Sequence, residues 1–154
     1  MEKNNFLDFF DFLNSDFTLK EIKIFDYAIY SVFISDKIGI IFSFEFRETM
    51  PQIQFTLLDK NLELVNREGI YTLKRKFEKN NFFLKSYYLD EILLGNNNID
   101  YKIFFKDSKT INESIKISVD LMKKYALNFI SGDEKYYLKM NEWFRKELSK
   151  QSSS

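Results

Sequence analysis

Residues 38–57 constrain the fold more than any other stretch. Ile38, Ile40, Phe42, Phe44 and Phe46 fall at every second position, with Gly39, Ile41, Ser43, Glu45 and Arg47 between them. Successive side chains of a strand point to opposite faces, so this order draws an apolar, largely aromatic row on one face and an increasingly polar row on the other. Glu48, Thr49, Met50 and Pro51 supply a turn, and Gln52 to Leu57 alternates again with Ile53, Phe55 and Leu57 inward. The pattern predicts an antiparallel hairpin with one face to bury.

The C-terminal third supplies the cover. Thr110 and Glu113 form a T-x-x-E capping box, in which each side chain satisfies an orphan backbone N–H of the first helical turn. Ile115, Val119, Met122, Ala126 and Phe129 then follow at spacings of four and three, one apolar stripe along a long helix. Gly132 suits a left-handed C-cap and Asp133 the next N-cap. Tyr137, Met140, Phe144 and Leu148 line a second helix, with Tyr136 and Trp143 beside them.

Elsewhere the reading is coarser. Residues 5–14 predict an amphipathic helix, with Phe6, Phe9, Phe10 and Leu13 on one side and Asp8 and Asp11 on the other. A strand is expected over 18–25, and residues 27–33 either continue it or form a second, irregular strand. Residues 59–69 read as a polar loop, and residues 70–77 fit a strand and a helix equally. A short helix over 89–94 is expected to stop at Gly95, Asn96, Asn97 and Asn98, and residues 99–105 to form an edge strand or an extended connector. The whole predicts a single α+β domain over 1–150, with 151–154 a disordered tail. An antiparallel sheet of about four strands packs against the C-terminal helix pair and the short N-terminal helix. With 18 Phe and 9 Tyr, each ring removing ~150–250 Å² from water when buried, the core needs no disulfide or metal.

Composition then narrows function. The chain has neither cysteine nor histidine, so thiol nucleophiles, thiolate or imidazole metal ligands and Ser-His-Asp chemistry are unavailable. Its 23 basic residues balance 23 acidic ones, whereas nucleic-acid binders draw affinity from excess positive charge. The basic run Lys74, Arg75, Lys76 and Lys79 is interrupted by Glu78 and reads as a solvated face. No stretch has the ~20 apolar residues needed to span a bilayer. Asp8 and Asp11 interrupt what would be the centre of a signal peptide, so a cytoplasmic protein is expected, with no nucleic-acid or membrane partner.

The candidate chemistry is sparse. Glu21-Ile22-Lys23 has the E-x-K form of metal-dependent nucleases, with Asp11 or Asp16 upstream, but chance produces this spacing in a chain rich in Glu and Lys. Glu45 with Glu48, or Asp90 with Glu91, could form the carboxylate pair of a glycoside hydrolase, although neighbours in sequence more often mark a solvated edge. No glycine-rich nucleotide loop or nucleophile elbow occurs. The expectation is therefore no catalytic residue, no metal and no cofactor. Phe42, Phe44 and Phe46 read as core rather than as a base-stacking platform. Tyr136, Tyr137 and Trp143 spread over more than one helix face, which makes them candidate partner-binding anchors, with Glu45, Arg47 and Glu48 the alternative surface.

The short N-terminal helix, Ser35-Asp36-Lys37-Ile38-Gly39-Ile40-Ile41-Phe42-Ser43-Phe44-Glu45-Phe46-Arg47, Leu121-Met122-Lys123-Lys124-Tyr125, Ile130-Ser131-Gly132-Asp133 and Trp143-Phe144 together resemble small bacterial proteins. Several such families are immunity partners of toxins in bacterial competition systems. The resemblance implies a protein that binds and blocks a cognate protein toxin, and it carries over no residue roles. The neutral net charge departs from the acidic character of many inhibitors of nuclease toxins. A metal-dependent enzyme built on Glu21 and Lys23, and a self-associating structural protein, are the alternatives.

Overall fold

The computed structural model describes residues 1–13, 15–58, 64–67, 70–73 and 86–152. The hairpin predicted over 38–57 is present as β3 (Ile38–Glu45) and β4 (Gln52–Leu57), paired antiparallel from Ile38 opposite Leu57 to Ser43 opposite Gln52. β1 (Thr18–Ile24) and β2 (Ala28–Ile34) extend the sheet on one side and β7 (Ser86–Tyr88) on the other. The result is a five-stranded, wholly antiparallel sheet in the order β1-β2-β3-β4-β7. The expected count of about four falls short because β7 has only three residues, too few for an alternation to register. Of residues 27–33, expected to continue the first strand or to form a second, irregular one, residues 28–33 lie in the regular β2 and Tyr27 in the turn before it. β5 (Leu64–Arg67) and β6 (Ile70–Leu73) form a separate two-stranded sheet, so part of the expected loop over 59–69 is strand. Residues 59–63, 68–69 and 74–77, with the basic run that starts at Lys74, lie outside the described residues.

Paired residues of an antiparallel ladder share a face, so the register defines the core directly. Ile29 opposite Phe44, Phe33 opposite Ile40, Phe42 opposite Ile53 and Phe55 opposite Tyr87 all face the helices. Helix α1 (Lys3–Asp8) is shorter than the predicted 5–14. Beyond Asp8 the chain tightens into i to i+3 hydrogen bonds, Asp11 N–H to Asp8 and Leu13 N–H to Phe10. In this arrangement Phe6 lies 5.1 Å from Phe42 between ring centroids, and Phe10 stacks on Phe33 at 4.9 Å. Deleting a buried ring of this kind costs ~3–5 kcal/mol, because a cavity adds to the lost transfer energy.

The opposite face departs from the simple inside–outside alternation. Val32 and Ile41 are buried there, with Ile34 and Leu58 against them. Thr56 and Ser86 are wholly buried beside them. Gln54 Nε2 donates to Ser86 Oγ at 2.6 Å and Thr56 Oγ1 to the same oxygen at 3.0 Å, so the polar row is satisfied internally. The near-continuous apolar runs of β2 and β3 are the sequence mark of strands covered on both faces.

The C-terminal stripe is buried throughout its length, from Ile115 to Phe129. It spans α3 (Ile111–Tyr125) and α4 (Leu127–Ile130) rather than one helix. Ala126, at φ −117° and ψ 10°, breaks the helix, yet Ala126 N–H still reaches Met122 and Ile130 N–H reaches Ala126. Helical spacing survives the break, which is why the periodicity reads through it. Thr110 Oγ1 accepts from Glu113 N–H at 3.1 Å, but the reciprocal bond runs from Lys109 N–H to Glu113 at 2.7 Å, one residue earlier than in a standard capping box. Gly132 is left-handed at φ 76°, and Asp133 Oδ1 caps α5 (Glu134–Ser152) by accepting from Lys135 N–H. Helix α5 continues through Gln151 and Ser152, where a disordered tail is expected.

Two expectations need correction. α2 (Leu89–Asn97) runs through Gly95 and stops only at Asn98, the last residue of the expected stop, which caps it in the left-handed conformation at φ 53°. A Cβ at Gly95 would stand 3.0 Å from Met140 and Trp143, so the glycine lets α5 approach closely rather than ending the helix. Residues 99–105 hold a 3-10 helix, Tyr101–Phe105, not a strand or extended connector. Asp100 caps it by accepting from Lys102 N–H, and Tyr101 and Phe105 are buried edge-to-face at 4.8 Å. Among the described residues, no helix is long and apolar enough to cross a membrane.

Two substitutions test these helix ends by urea unfolding. Thr110→Ala is expected to cost ~1 kcal/mol. Gly132→Ala is expected to cost more than ~1 kcal/mol, because a side chain is strained at positive φ and its Cβ would meet Lys37 Cβ at 2.7 Å. An unchanged midpoint in either variant contradicts the corresponding cap.

Candidate functional site

The aromatic anchors expected on α5 do not form one surface. Tyr137 is completely buried, its hydroxyl donating to the Phe129 carbonyl at 3.1 Å and its ring edge-to-face with Phe129 at 5.0 Å. It is a core residue, selected by the same stripe that positions Met140. Trp143 is half-buried against Gly95 of α2. Tyr136 is half-buried beside Phe129, with Lys135 and Lys139 ammonium groups 5.1 and 5.6 Å from its ring centroid. Only Tyr136 and Trp143 retain exposed edges.

The E-x-K carboxylate and lysine lie on β1 opposite Val32 and Tyr30, on the sheet face away from the helices. Asp11 follows α1, which packs on the helix-bearing face. Asp16 lines a different groove, of mixed polar and apolar character, with Phe12, Phe17, Lys37 and Leu127. The sheet thus separates Glu21 and Lys23 from Asp11. Among the described residues, no three acidic side chains gather as a metal-binding group.

The alternative surface, Glu45, Arg47 and Glu48, lies where the sheet ends. Glu45 closes β3, and the following turn is fixed by Glu48 N–H donating to the Glu45 carbonyl at 2.9 Å. Beside it opens a cleft of about 340 Å³, lined by Ser43, Glu45, Glu48, Met50, Gln52 and Asp90 among others. A second hollow of similar size shares Gln52 and Asp90 and adds Tyr88 and Glu91. The two carboxylate pairs that sequence proximity suggested therefore line adjoining hollows. Glu45 itself is held: Tyr30 Oη donates to its Oε1 at 3.3 Å and Arg47 Nε to its Oε2 at 3.1 Å. Burial, and then the adjacent Glu45 charge, raise the Tyr30 phenol above the ordinary tyrosine pKa.

Tyr101 anchors the floor. Its buried hydroxyl donates to the Pro51 carbonyl at 2.8 Å, tying the 3-10 helix to the β3–β4 turn. Burial, reinforced by Asp90, pushes its pKa far up, so the neutral phenol is the form that fits.

Sequence reasoning missed the aromatic tip beside this cleft. Phe25 and Tyr27 flank the β1–β2 turn and stack at 5.3 Å with an 11° angle between planes, yet Tyr27 is 65% exposed and Phe25 37% exposed. The signal was an aromatic pair around Asp26 between two strands, where turn chemistry would favour small polar residues.

The floor can be tested by its pH dependence. Because the folded-state pKa of Tyr101 is raised, its contribution is fully present below about pH 10, the unfolded value, and is lost as pH rises above it. Tyr101→Phe is expected to cost ~1 kcal/mol at pH 7 by leaving the Pro51 carbonyl without its donor, and to weaken the alkaline loss of stability. Denaturant midpoints from pH 7 to 11 that superimpose for both proteins contradict this role. No protein-family model, no curated protein and no solved structure matches the chain.

Proposed function

We propose that this protein is a non-enzymatic binding protein, an immunity protein that occludes a cognate bacterial toxin. The observation that carries the reading is the exposed surface where the stacked Phe25–Tyr27 pair, the Glu45–Arg47 ion pair and the carboxylate-lined cleft adjoin. Aromatic rings beside a charged rim are the ordinary composition of a protein interface. The chain's lack of histidine and cysteine supports the same reading, as does the separation by the sheet of Glu21 and Lys23 from Asp11, one of the two upstream carboxylates the enzymatic alternative could use.

A blocker of a lethal partner works by slow dissociation, which corresponds to a Kd at or below ~1 nM. Co-expression with the product of the adjacent reading frame is expected to rescue growth from that product's toxicity. The two chains should then co-elute from a sizing column. Toxicity unrelieved by co-expression, with separate elution, overturns the proposal. Glu21→Ala is expected to leave rescue intact, and stoichiometric Mg²⁺ or Mn²⁺ binding lost in that variant would favour the enzymatic alternative.

A further inference from the structure

The geometry points to the β1–β2 tip and the adjoining cleft as one docking surface for a basic protein segment that presents an arginine. This deepens the proposed function and rests on it. The surface is continuous through a chain of contacts. Tyr27 stacks on Phe25, Phe25 meets Tyr30 edge-on at 6.3 Å, Tyr30 holds Glu45, and Glu45 lines the cleft that includes Glu48. The tip is also fixed to the end of β3, because Phe46 N–H donates to the Tyr27 carbonyl at 2.9 Å. Phe46 in turn packs edge-to-face on Phe44 of the core at 5.3 Å. The backbone that carries the two exposed rings is therefore held by the sheet itself, so a partner meets a turn already in position.

The identity of the occupant follows from charge and shape. Among the described residues, Glu45 and Glu48 make the strand-end rim of the cleft acidic. Arg47 stands at its edge, already spanning Glu45 at 3.0 Å. A second copy of this chain is a poor occupant, since a two-fold interface would set the same carboxylates against themselves. An incoming guanidinium satisfies both halves of the surface. Its planar fork matches a carboxylate such as Glu48, and its face stacks on an exposed aromatic ring such as Tyr27. Lysine offers the charge without the plane.

The test is an NMR titration of the whole protein with tri-arginine, with tri-lysine and tri-glutamate as comparison peptides. Saturable shifts confined to Phe25, Tyr27, Glu45 and Glu48 are expected, stronger for tri-arginine than for tri-lysine and absent for tri-glutamate. Tyr27→Ala and Glu48→Gln are each expected to weaken the tri-arginine affinity by about threefold or more, in keeping with exposed cation–aromatic and ion-pair contacts. Glu142→Gln on the exposed face of α5 should change nothing. Shifts spread over the acidic surface, equal response to tri-glutamate, or variants that bind like wild type overturn the assignment. So does self-association through these residues without peptide. Failed growth rescue by the wild-type chain sinks the immunity reading instead, whereas rescue with a negative titration places the toxin contact elsewhere.

Discussion

Everything in this fold is organised around the Phe42 side chain at the centre of β3. Phe6 and Phe10 close on it from the N-terminal segment, and Ser31 and Ile53 flank it on the neighbouring strands. A ring that is completely buried among other rings has few alternative positions, because interiors are packed as densely as organic crystals. Phe42 fixes which face of β3 is inside. The period of two then places Glu45 on the far face at the strand's end, beside the turn that carries Glu48. The cleft is thus a consequence of core packing transmitted along one strand.

The parts of the fold legible in the sequence are those where one periodicity persists. β3, β4 and the stripe from Ile115 to Phe129 each repeat long enough to specify which face is buried. The stripe reads true even across the break at Ala126, because helical hydrogen bonds bridge it. What could not be read depends on contacts distant in sequence. β7 is too short to show a pattern, and Gly95 resembles a stop signal until Met140 and Trp143 are placed against it. The 3-10 helix at Tyr101–Phe105 depends on Pro51, 50 residues away, for the partner of its tyrosine hydroxyl.

The candidate site was half legible for the same reason. Glu45 ends a clear strand and Arg47 and Glu48 follow it, so their position at its exposed end could be anticipated. Joining them to Asp90 requires the pairing of β4 with β7, which the sequence does not display. Tyr137 misled because a ring on the side of an amphipathic helix looks the same whether the neighbouring element covers it or not. Phe25 and Tyr27 were overlooked because aromatic residues around a turn are read as strand ends, although the hairpin projects them outward.

These features give the molecule two unequal faces: one sealed by helices, and one whose end offers exposed rings and carboxylates. We propose that this end is where a protein partner binds. Hydrogen–deuterium exchange of the complex with the adjacent reading frame's product, compared with the free chain, tests it most directly. New protection is expected at residues 24–30 and 45–52, with α5 unchanged. Protection along α5 around Tyr136 and Trp143, with residues 24–30 exchanging as in the free protein, would contradict it.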